Sequence, residues 1–421
     1  MLTATEAARR ITDDVKPLSV HCIPLLEVLD RVLATDVHSR IDIPAWDNSA
    51  MDGYAVRGVD LRKRAERGGA AAASVELRVV ETIPAGKFPT RSLRPGECAR
   101  IFTGAPLPQG ADGVIRQEDT TPLEGDRVRI TNMRDVGHNV RYRGEDIKKD
   151  ALVLPRGTPL GPAQLGVLAS IAEGEVFVHR RPRVAFFGSG NEIAELDERD
   201  AILKGEKIAS SNTYTLTAMI RRAGAEPINL GLAKDDPAEL RVRVKDAFTS
   251  DMLVTTAGIS VGEHDYIRRV LEEVKVTPKF WRVQMRPGAP VGFGVIGALP
   301  WIGLPGNPVS TMVTFELFVR PAIRRLSGRH DLVRPADRAV LAEPVSKGHG
   351  RRAFLRVASQ RDEVGGPRRD ERGRVIVGLA GGQGSHVLSA LALADALAIV
   401  PEADDSLPAG AEVALWWLDQ P

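Results

Sequence analysis

The residues best suited to chemistry in this chain gather at three glycine turns, each following an apolar run and leading toward a helix. They are Gly188-Ser189-Gly190-Asn191-Glu192, Ala257-Gly258-Ile259-Ser260-Val261-Gly262 and Gly303-Leu304-Pro305-Gly306-Asn307-Pro308. A glycine turn between a strand and a helix presents bare N–H groups at the helix N-terminus, where unpaired donors and the helix dipole favour an anion. Carboxylates stand close by at Glu192, Asp235, Asp236 and Asp265. Anion donors beside carboxylates suit a phosphate-bearing ligand handled with a divalent cation. Further along, Arg282, Arg286, Pro287 and Gly288 add two guanidinium groups, and a guanidinium grips an oxyanion bidentately.

Each feature also has a plainer explanation. Asp236 followed by Pro237 is a helix N-cap with proline at the first helical position, which leaves Asp235 as the better candidate for function. Glu192 suits an ordinary solvated turn, Asp265 a helix dipole, and either arginine a surface ion pair. What raises the functional reading is coincidence: three such turns lie on one strand–helix framework.

That framework begins at Arg183. Apolar runs at 184–187, 228–232, 252–256 and 291–296 alternate with helical periodicity, as in Leu216, Met219, Ile220 and Ala223 before Gly224. Ile267, Val270, Leu271 and Val274 repeat the spacing, and Asn307-Pro308 reads as cap-then-proline at the start of another helix. The alternation predicts a mostly parallel sheet covered by helices, with ligands at the carboxyl ends of the strands, where the glycine turns fall. Before it, Thr3 and Glu6 form a capping box for a helix over 3–16, and a second helix is expected near 25–33. Short broken runs over 75–145 read as β-structure, 62–74 as an exposed loop, and 162–172 as an apolar helix. After Gly328, runs at 338–345, 353–358, 374–379, 396–400 and 412–417 predict a small β-barrel or sandwich.

Composition excludes several classes. With 57 basic and 55 acidic residues the net charge is +2, so no electrostatic case for nucleic acid arises. The two cysteines, Cys22 and Cys98, argue against a disulfide framework and a thiolate metal site, so any metal would be held by oxygen ligands, as magnesium is. No apolar signal core or membrane-length apolar stretch occurs, and the cytoplasm is the expected compartment.

Longer motifs carry a family resemblance. Asp47-Asn48-Ser49-Ala50-Met51-Asp52-Gly53-Tyr54-Ala55, Ile101-Phe102-Thr103-Gly104-Ala105-Pro106, Gly144-Glu145-Asp146-Ile147, Ser260-Val261-Gly262-Glu263, Gly303 to Ser310 and Gly382-Gln383-Gly384-Ser385 resemble the molybdopterin molybdenumtransferases, relatives of the gephyrin E domain. The resemblance implies a homodimer with a multidomain α/β and β fold. Its parts would be a mixed α/β domain (1–45 plus 142–180), a β-rich insert (46–141), a central α/β molybdopterin-binding domain (181–328) and a C-terminal β-barrel (329–421). It implies insertion of molybdate into adenylylated molybdopterin, with AMP released and Mg²⁺ assisting. Catalytic roles fall on Asp52, Thr103, Glu192, Asp235 and Asp265, with Asp52, Glu192 and Asp235 placing metal or pyrophosphate. Substrate would be bound by Asp146, Gly188, Ser189, Gly190, Gly258, Ser260, Gly262, Arg286, Pro287, Gly288, Pro305, Gly306, Asn307, Pro308 and Ser310. In the family Asp52, Thr103 and Asp146 reach the cleft from the dimer partner. Further partners would be the adenylyltransferase that supplies the substrate and the maturation partners of molybdoenzymes.

Three departures bear on chemistry. Ala289 stands where the family has a second lysine, Ala257 where a glycine is usual, and Asn191 where an aspartate is usual. They motivate two alternatives to the active transferase, a molybdopterin-binding scaffold paralogue and a tungstate-inserting variant.

Overall fold

The computed structural model describes residues 1–67 (side chains of 63–67 excepted), 74–257, 266–348 and 350–418, and it divides into two compact units. One unit comprises 35–156 and 162–175, the other 1–34, 157–161 and 176–421. Asp265, Gly258, Ser260 and Gly262 lie outside the described residues.

Helix α1 (Ala4–Asp14) opens with the expected capping box: Glu6 N–H donates to Thr3 Oγ1 at 3.2 Å, and Thr3 N–H returns to Glu6 Oε2 at 2.9 Å. Its apolar face, Ala4, Ala7 and Ile11, enters the core of the larger unit. The helix expected near 25–33 does not form. It shrinks to one 3₁₀ turn at Leu25–Glu27, because Asp30 turns the chain through a left-handed conformation (φ 63) and Val32 and Leu33 are drawn into bridges with Pro159 and Val178. The expected loop over 62–74 is helical up to Arg67, as part of a helix over Gly58–Arg67.

The smaller unit is built on a six-stranded sheet. Its strands are β1 (Gly53–Val56), β2 (Val75–Ile83), β3 (Glu97–Ile101), β4 (Gly113–Arg116), β5 (Thr120–Leu123) and β6 (Arg127–Ile130), in the order β4-β1-β3-β2-β6-β5. Alternate residues fill two cores, with Tyr54, Leu77, Ile115 and Val128 on one face and Ala55, Ile83, Ile101 and Val114 on the other. At its edge Asp135, 5 % exposed, accepts from Arg116 Nε (2.7 Å) and Nη2 (3.0 Å). That guanidinium pulls the Asp135 carboxyl below its ordinary range. Asp135→Asn is expected to cost roughly 1.5–3 kcal/mol, the value of hydrogen bonds to a charged group. A depressed folded-state pKa gives stability that is present above about pH 4 and lost as pH falls through the folded value. The gap between wild type and variant in urea unfolding should therefore be full at pH 7 and close toward pH 2.

The larger unit carries the expected strand–helix alternation. Strands β7 (Arg183–Ser189), β8 (Glu226–Ala233), β9 (Met252–Thr256) and β12 (Leu299–Leu304) run parallel in the order β8-β7-β9-β12. The sheet continues antiparallel through β11 (Pro290–Ile296) to β10 (Thr277–Arg286). Helices α2 (Ser211–Arg222), α3 (Pro237–Asp246) and α4 (Tyr266–Glu273) lie between these strands in the chain, and α5 (Pro308–Thr314) follows β12 and runs on through Phe315–Val319 into α6 (Arg320–Leu326). Both faces of the sheet are covered: Phe186 enters one core with Leu216, Phe293 and Phe318, and its neighbour Phe187 enters the other with Leu240, Leu271 and Trp301.

The C-terminal runs close into a five-stranded barrel. Strands β13 (Asp337–Leu341), β14 (Arg352–Ser359), β15 (Val375–Leu379), β16 (Ala396–Val400) and β17 (Glu412–Trp417) pair in the cycle β14-β15-β13-β17-β16-β14. Val357, Val375, Val377 and Leu415 fill it. Parallel pairing of Met285 on β10 with Arg352 on β14 fuses the barrel to the α/β sheet. Among the described residues no helix is long and apolar enough to cross a membrane.

Candidate active site

Two adjoining pockets lie at the carboxyl ends of the parallel strands, both inside the larger unit. The first, about 450 Å³, is bounded by Gly188, Ser189 and Glu192 at the end of β7 and just beyond it, by Thr256 and Ala257 at the end of β9, and by Pro305 to Pro308 after β12. All three glycine turns thus contribute to one cavity, as the strand–helix pattern requires. Glu192 is exposed, and its carboxylate folds back over Gly190 (φ 144), where a Cβ would come within 2.8 Å of Glu192 Oε2. Glycine is therefore needed at 190 for its backbone angle, while a Cβ there would only push aside the exposed Glu192 carboxylate. Asp235, also exposed, donates its N–H to Asn191 Oδ1 at 3.3 Å, which ties the two acidic turns together. Asn191 supplies the same acceptor as the usual aspartate, without its charge.

Ala257 sits at φ 71, a left-handed conformation in which an L-residue with a Cβ is strained. Its methyl faces Gly306, where a Cβ would approach to 3.2 Å. Ala257→Gly should raise stability by about 0.5–1 kcal/mol, the relief of strain less the added chain entropy of glycine. A higher urea midpoint checks this, and an unchanged or lower one contradicts it.

The first pocket also has a wall that sequence patterns left unassigned: Ile208, Ala209, Ser210, Ser211 and Asn212. Here α2 begins without a side-chain cap, because Ser210 Oγ is paired with Thr213 Oγ1 at 2.7 Å and Thr213 turns to Glu195. Asn212 Nδ2 donates to Gly306 O at 2.8 Å, and its Oδ1 is buried with no hydrogen-bond donor among the described residues. A buried acceptor without a partner is costly unless a ligand completes it. The helical repeat at Leu216, Met219, Ile220 and Ala223 was legible in the sequence; the place of Ser210 to Asn212 on the pocket was not.

The second pocket, about 540 Å³, shares Pro290, Pro305 and Asn307 with the first. It is lined by Arg286, Pro287, Gly288, Ala289 and Ser310 from the α/β sheet and by Gly348, Arg351, Gln383 and Ser385 from the barrel. Gly288 (φ 95) is required here as well, since a Cβ would strike Thr314 Cγ2. Neither Arg286 nor Arg351 has a carboxylate partner among the described residues, and both line the cavity. Ala289 offers only a methyl, and Arg351 puts a second cation on the pocket that sequence reasoning did not assign. Arg282, the other guanidinium considered, is exposed and does not line this cavity.

Asp52, Thr103 and Asp146 belong to the smaller unit. Asp52 Oδ1 accepts both Thr103 N–H and Thr103 Oγ1, each at 2.8 Å. Those two donors, with the Arg100 guanidinium behind them, hold the Asp52 carboxyl below the usual carboxylate range. Arg100 is fixed in turn by Gly53 O (3.3 Å) and Gln117 Oε1 (2.7 Å) and lies over the Tyr54 and Phe102 rings. Asp146 donates its N–H to Ile43 O at 3.1 Å, so its backbone helps fold the 142–147 turn. Among the described residues no three His, Cys, Asp or Glu side chains cluster as a metal site. The carboxylates at Asp52, Glu192 and Asp235 are hard oxygen donors that suit Mg²⁺, which usually takes one or two carboxylates and completes its shell with substrate phosphates and water.

Comparison with known proteins gives the family. Residues 2–172 match the family described as MoeA N-terminal region (domain I and II), 187–325 that of a probable molybdopterin binding domain, and 338–418 the MoeA C-terminal region (domain IV). The molybdopterin molybdenumtransferase of Haemophilus influenzae is 33% identical over 99% of this chain and 98% of its own length. That of Nostoc sp. is 41% identical over 71% of this chain and 67% of its own. The crystal structure of the molybdopterin biosynthesis moeA protein from Pyrococcus horikoshii superposes with a TM-score of 0.83 at 27% identity, covering 99% of this chain and 100% of that one. The chain belongs to the molybdopterin molybdenumtransferase family and is an enzyme of molybdenum cofactor biosynthesis.

Proposed function

We propose that this protein inserts molybdate into adenylylated molybdopterin and releases AMP, with Mg²⁺ assisting, as a cytoplasmic homodimer of four-domain subunits divided at the boundaries given above. The observation that carries the reading is the pairing of two unlike pockets across one wall. The first is lined by Ile193, Ile208, Leu232 and Pro308, with the uncapped start of α2 and the unpartnered Asn212 Oδ1. It suits a flat heterocycle bearing N–H donors and a phosphate. The second is lined by two arginines with no carboxylate partner among the described residues and suits a small oxyanion.

In this reading the larger unit holds both substrates. Asn212 and the α2 terminus orient the nucleotide, Arg286 and Arg351 hold molybdate, and Glu192 and Asp235 stand beside the phosphoanhydride that is cleaved. Bound Mg²⁺ would offset the charge of that anhydride. Asp52, kept ionised by Thr103 and Arg100, would complete the carboxylate set from the partner subunit, with Thr103 and Asp146 beside it. The adenylyltransferase that makes the nucleotide and the maturation partners of molybdoenzymes would stand on either side of the reaction.

The test is AMP release from adenylylated molybdopterin by the full chain, with and without molybdate, in Mg²⁺ and in EDTA. Release that needs both molybdate and Mg²⁺ supports the reading. Tight nucleotide binding with no release under any condition overturns it.

A further inference from the structure

Asn307 breaks a local rule. It occupies the N-cap of α5, followed by proline, and asparagine is among the best residues for capping a helix with its side chain. Its side chain makes no capping bond. The backbone still starts the helix, since Asn307 O accepts from Thr311 N–H at 2.9 Å. The carboxamide instead crosses to the barrel, where Asn307 Nδ2 donates to Ser385 Oγ at 3.0 Å, 78 residues away. A forfeited local bond in favour of a distant one marks a position where function overrides propensity.

The geometry around Ser385 shows what the contact does. A hydroxyl that accepts from Asn307 keeps its own proton to donate, and among the described residues it donates to nothing. The loop that carries it is held from behind: Gln383 Nε2 donates to Arg356 O (3.0 Å) and Gly381 O (2.9 Å), and Arg356 Nη2 donates to Gly382 O and Gly384 O, each at 3.2 Å. Ser385 and Asn307 both line the pocket of Arg286 and Arg351, and Asn307 lines the other pocket too.

We propose that Asn307 is a positioning residue for the oxyanion pocket: its carboxamide fixes the Ser385 hydroxyl so that the hydroxyl proton faces a bound oxyanion. The inference rests on the reading of that pocket as the molybdate site and deepens it. It makes the α/β sheet responsible for the orientation of a donor that the barrel supplies.

A double-mutant cycle on the full chain, read by equilibrium dialysis against molybdate, tests it. Ser385→Ala should weaken molybdate binding about tenfold or more, the loss of one hydrogen bond to a charged acceptor. Asn307→Ala should weaken it several-fold in wild type and less than about twofold in the Ser385→Ala background, since the two act as one unit. Asn307→Ser keeps a good helix start and is too short to reach Ser385, so it should repeat the result if the alanine variant folds poorly. Equal effects of Asn307 substitution in both backgrounds, or none in wild type, overturn the proposal while Ser385→Ala still weakens binding. If wild type, Arg286→Met and Ser385→Ala all hold molybdate equally, the oxyanion reading has failed and the inference falls with it.

Discussion

Arg286→Met is expected to lower kcat/KM for molybdate roughly a hundredfold, within the range for removing one charged donor from an oxyanion site. Arg286 lies at the end of β10, exposed to the second pocket and without a carboxylate partner among the described residues, so its removal leaves no acid stranded. Most guanidinium groups of this protein that make ion pairs sit on surface networks, such as Arg338 with Glu412 at 2.9 Å. Substitution there changes stability by fractions of a kcal/mol. At Arg286 the charge has no carboxylate partner among the described residues, and its field is available to a ligand. Methionine keeps most of the aliphatic stem and removes the guanidinium, whose Nη1 lies 3.7 Å from where a Cβ at Gly348 would stand. Affinity for the nucleotide should stay within about twofold of wild type, because interactions at separate sites are close to additive. Steady-state kinetics in molybdate at saturating nucleotide checks the first statement, and nucleotide binding the second. A loss confined to the nucleotide would reverse the assignment of the pockets.

The second large effect is expected at Asp52. Asp52→Asn should reduce turnover about a hundredfold or more with little change in stability. The asparagine carbonyl can still accept from Thr103 N–H and Thr103 Oγ1, so the turn is preserved while the charge is removed. The depressed pKa adds a prediction of sign: the Thr103 hydrogen bonds hold the Asp52 carboxyl below the usual carboxylate range, so it is ionised at mildly acidic and neutral pH and its protonation should not limit activity between about pH 5 and 8. A mixing experiment asks which subunit supplies it. If Asp52 acts across the dimer, randomly mixed Asp52→Asn and Glu192→Gln subunits should regain about a quarter of wild-type turnover, because half the dimers are mixed and one of their two sites is intact. No recovery on mixing would place Asp52 in its own subunit's site or outside the chemistry.

Much of this was legible in the chain because it is local. The apolar runs before Gly188 and Ala257 and the i, i+3, i+4 repeats at Leu216 and Ile267 specify strands and helices by themselves, and parallel order then gathers the turns at one edge. The five C-terminal runs specified strands in the same way, with closure into a barrel settled by the pairing of β14 with β16. What depended on distant contacts was not legible. Arg351 and Ser385 reach the second pocket only because β10 pairs with β14, and Asn212 meets Gly306 across 94 residues. Asn307 reads as an ordinary cap, and only the position of Ser385 shows why its side chain leaves that role. The segment at 25–33 has helical composition, but bridges to Pro159 and Val178 outweigh a propensity that amounts to tenths of a kcal/mol per residue.

The central claim is that two substrates meet across the wall formed by Pro290, Pro305 and Asn307. Its most direct test is a single-turnover reaction of the full chain with adenylylated molybdopterin and molybdate, following AMP and molybdenum bound to the pterin product together. AMP and pterin-bound molybdenum are expected to appear in equal amounts, and Arg286→Met to slow them in parallel. AMP released at the same rate without molybdate, or from the variant with no molybdenum incorporated, would contradict it.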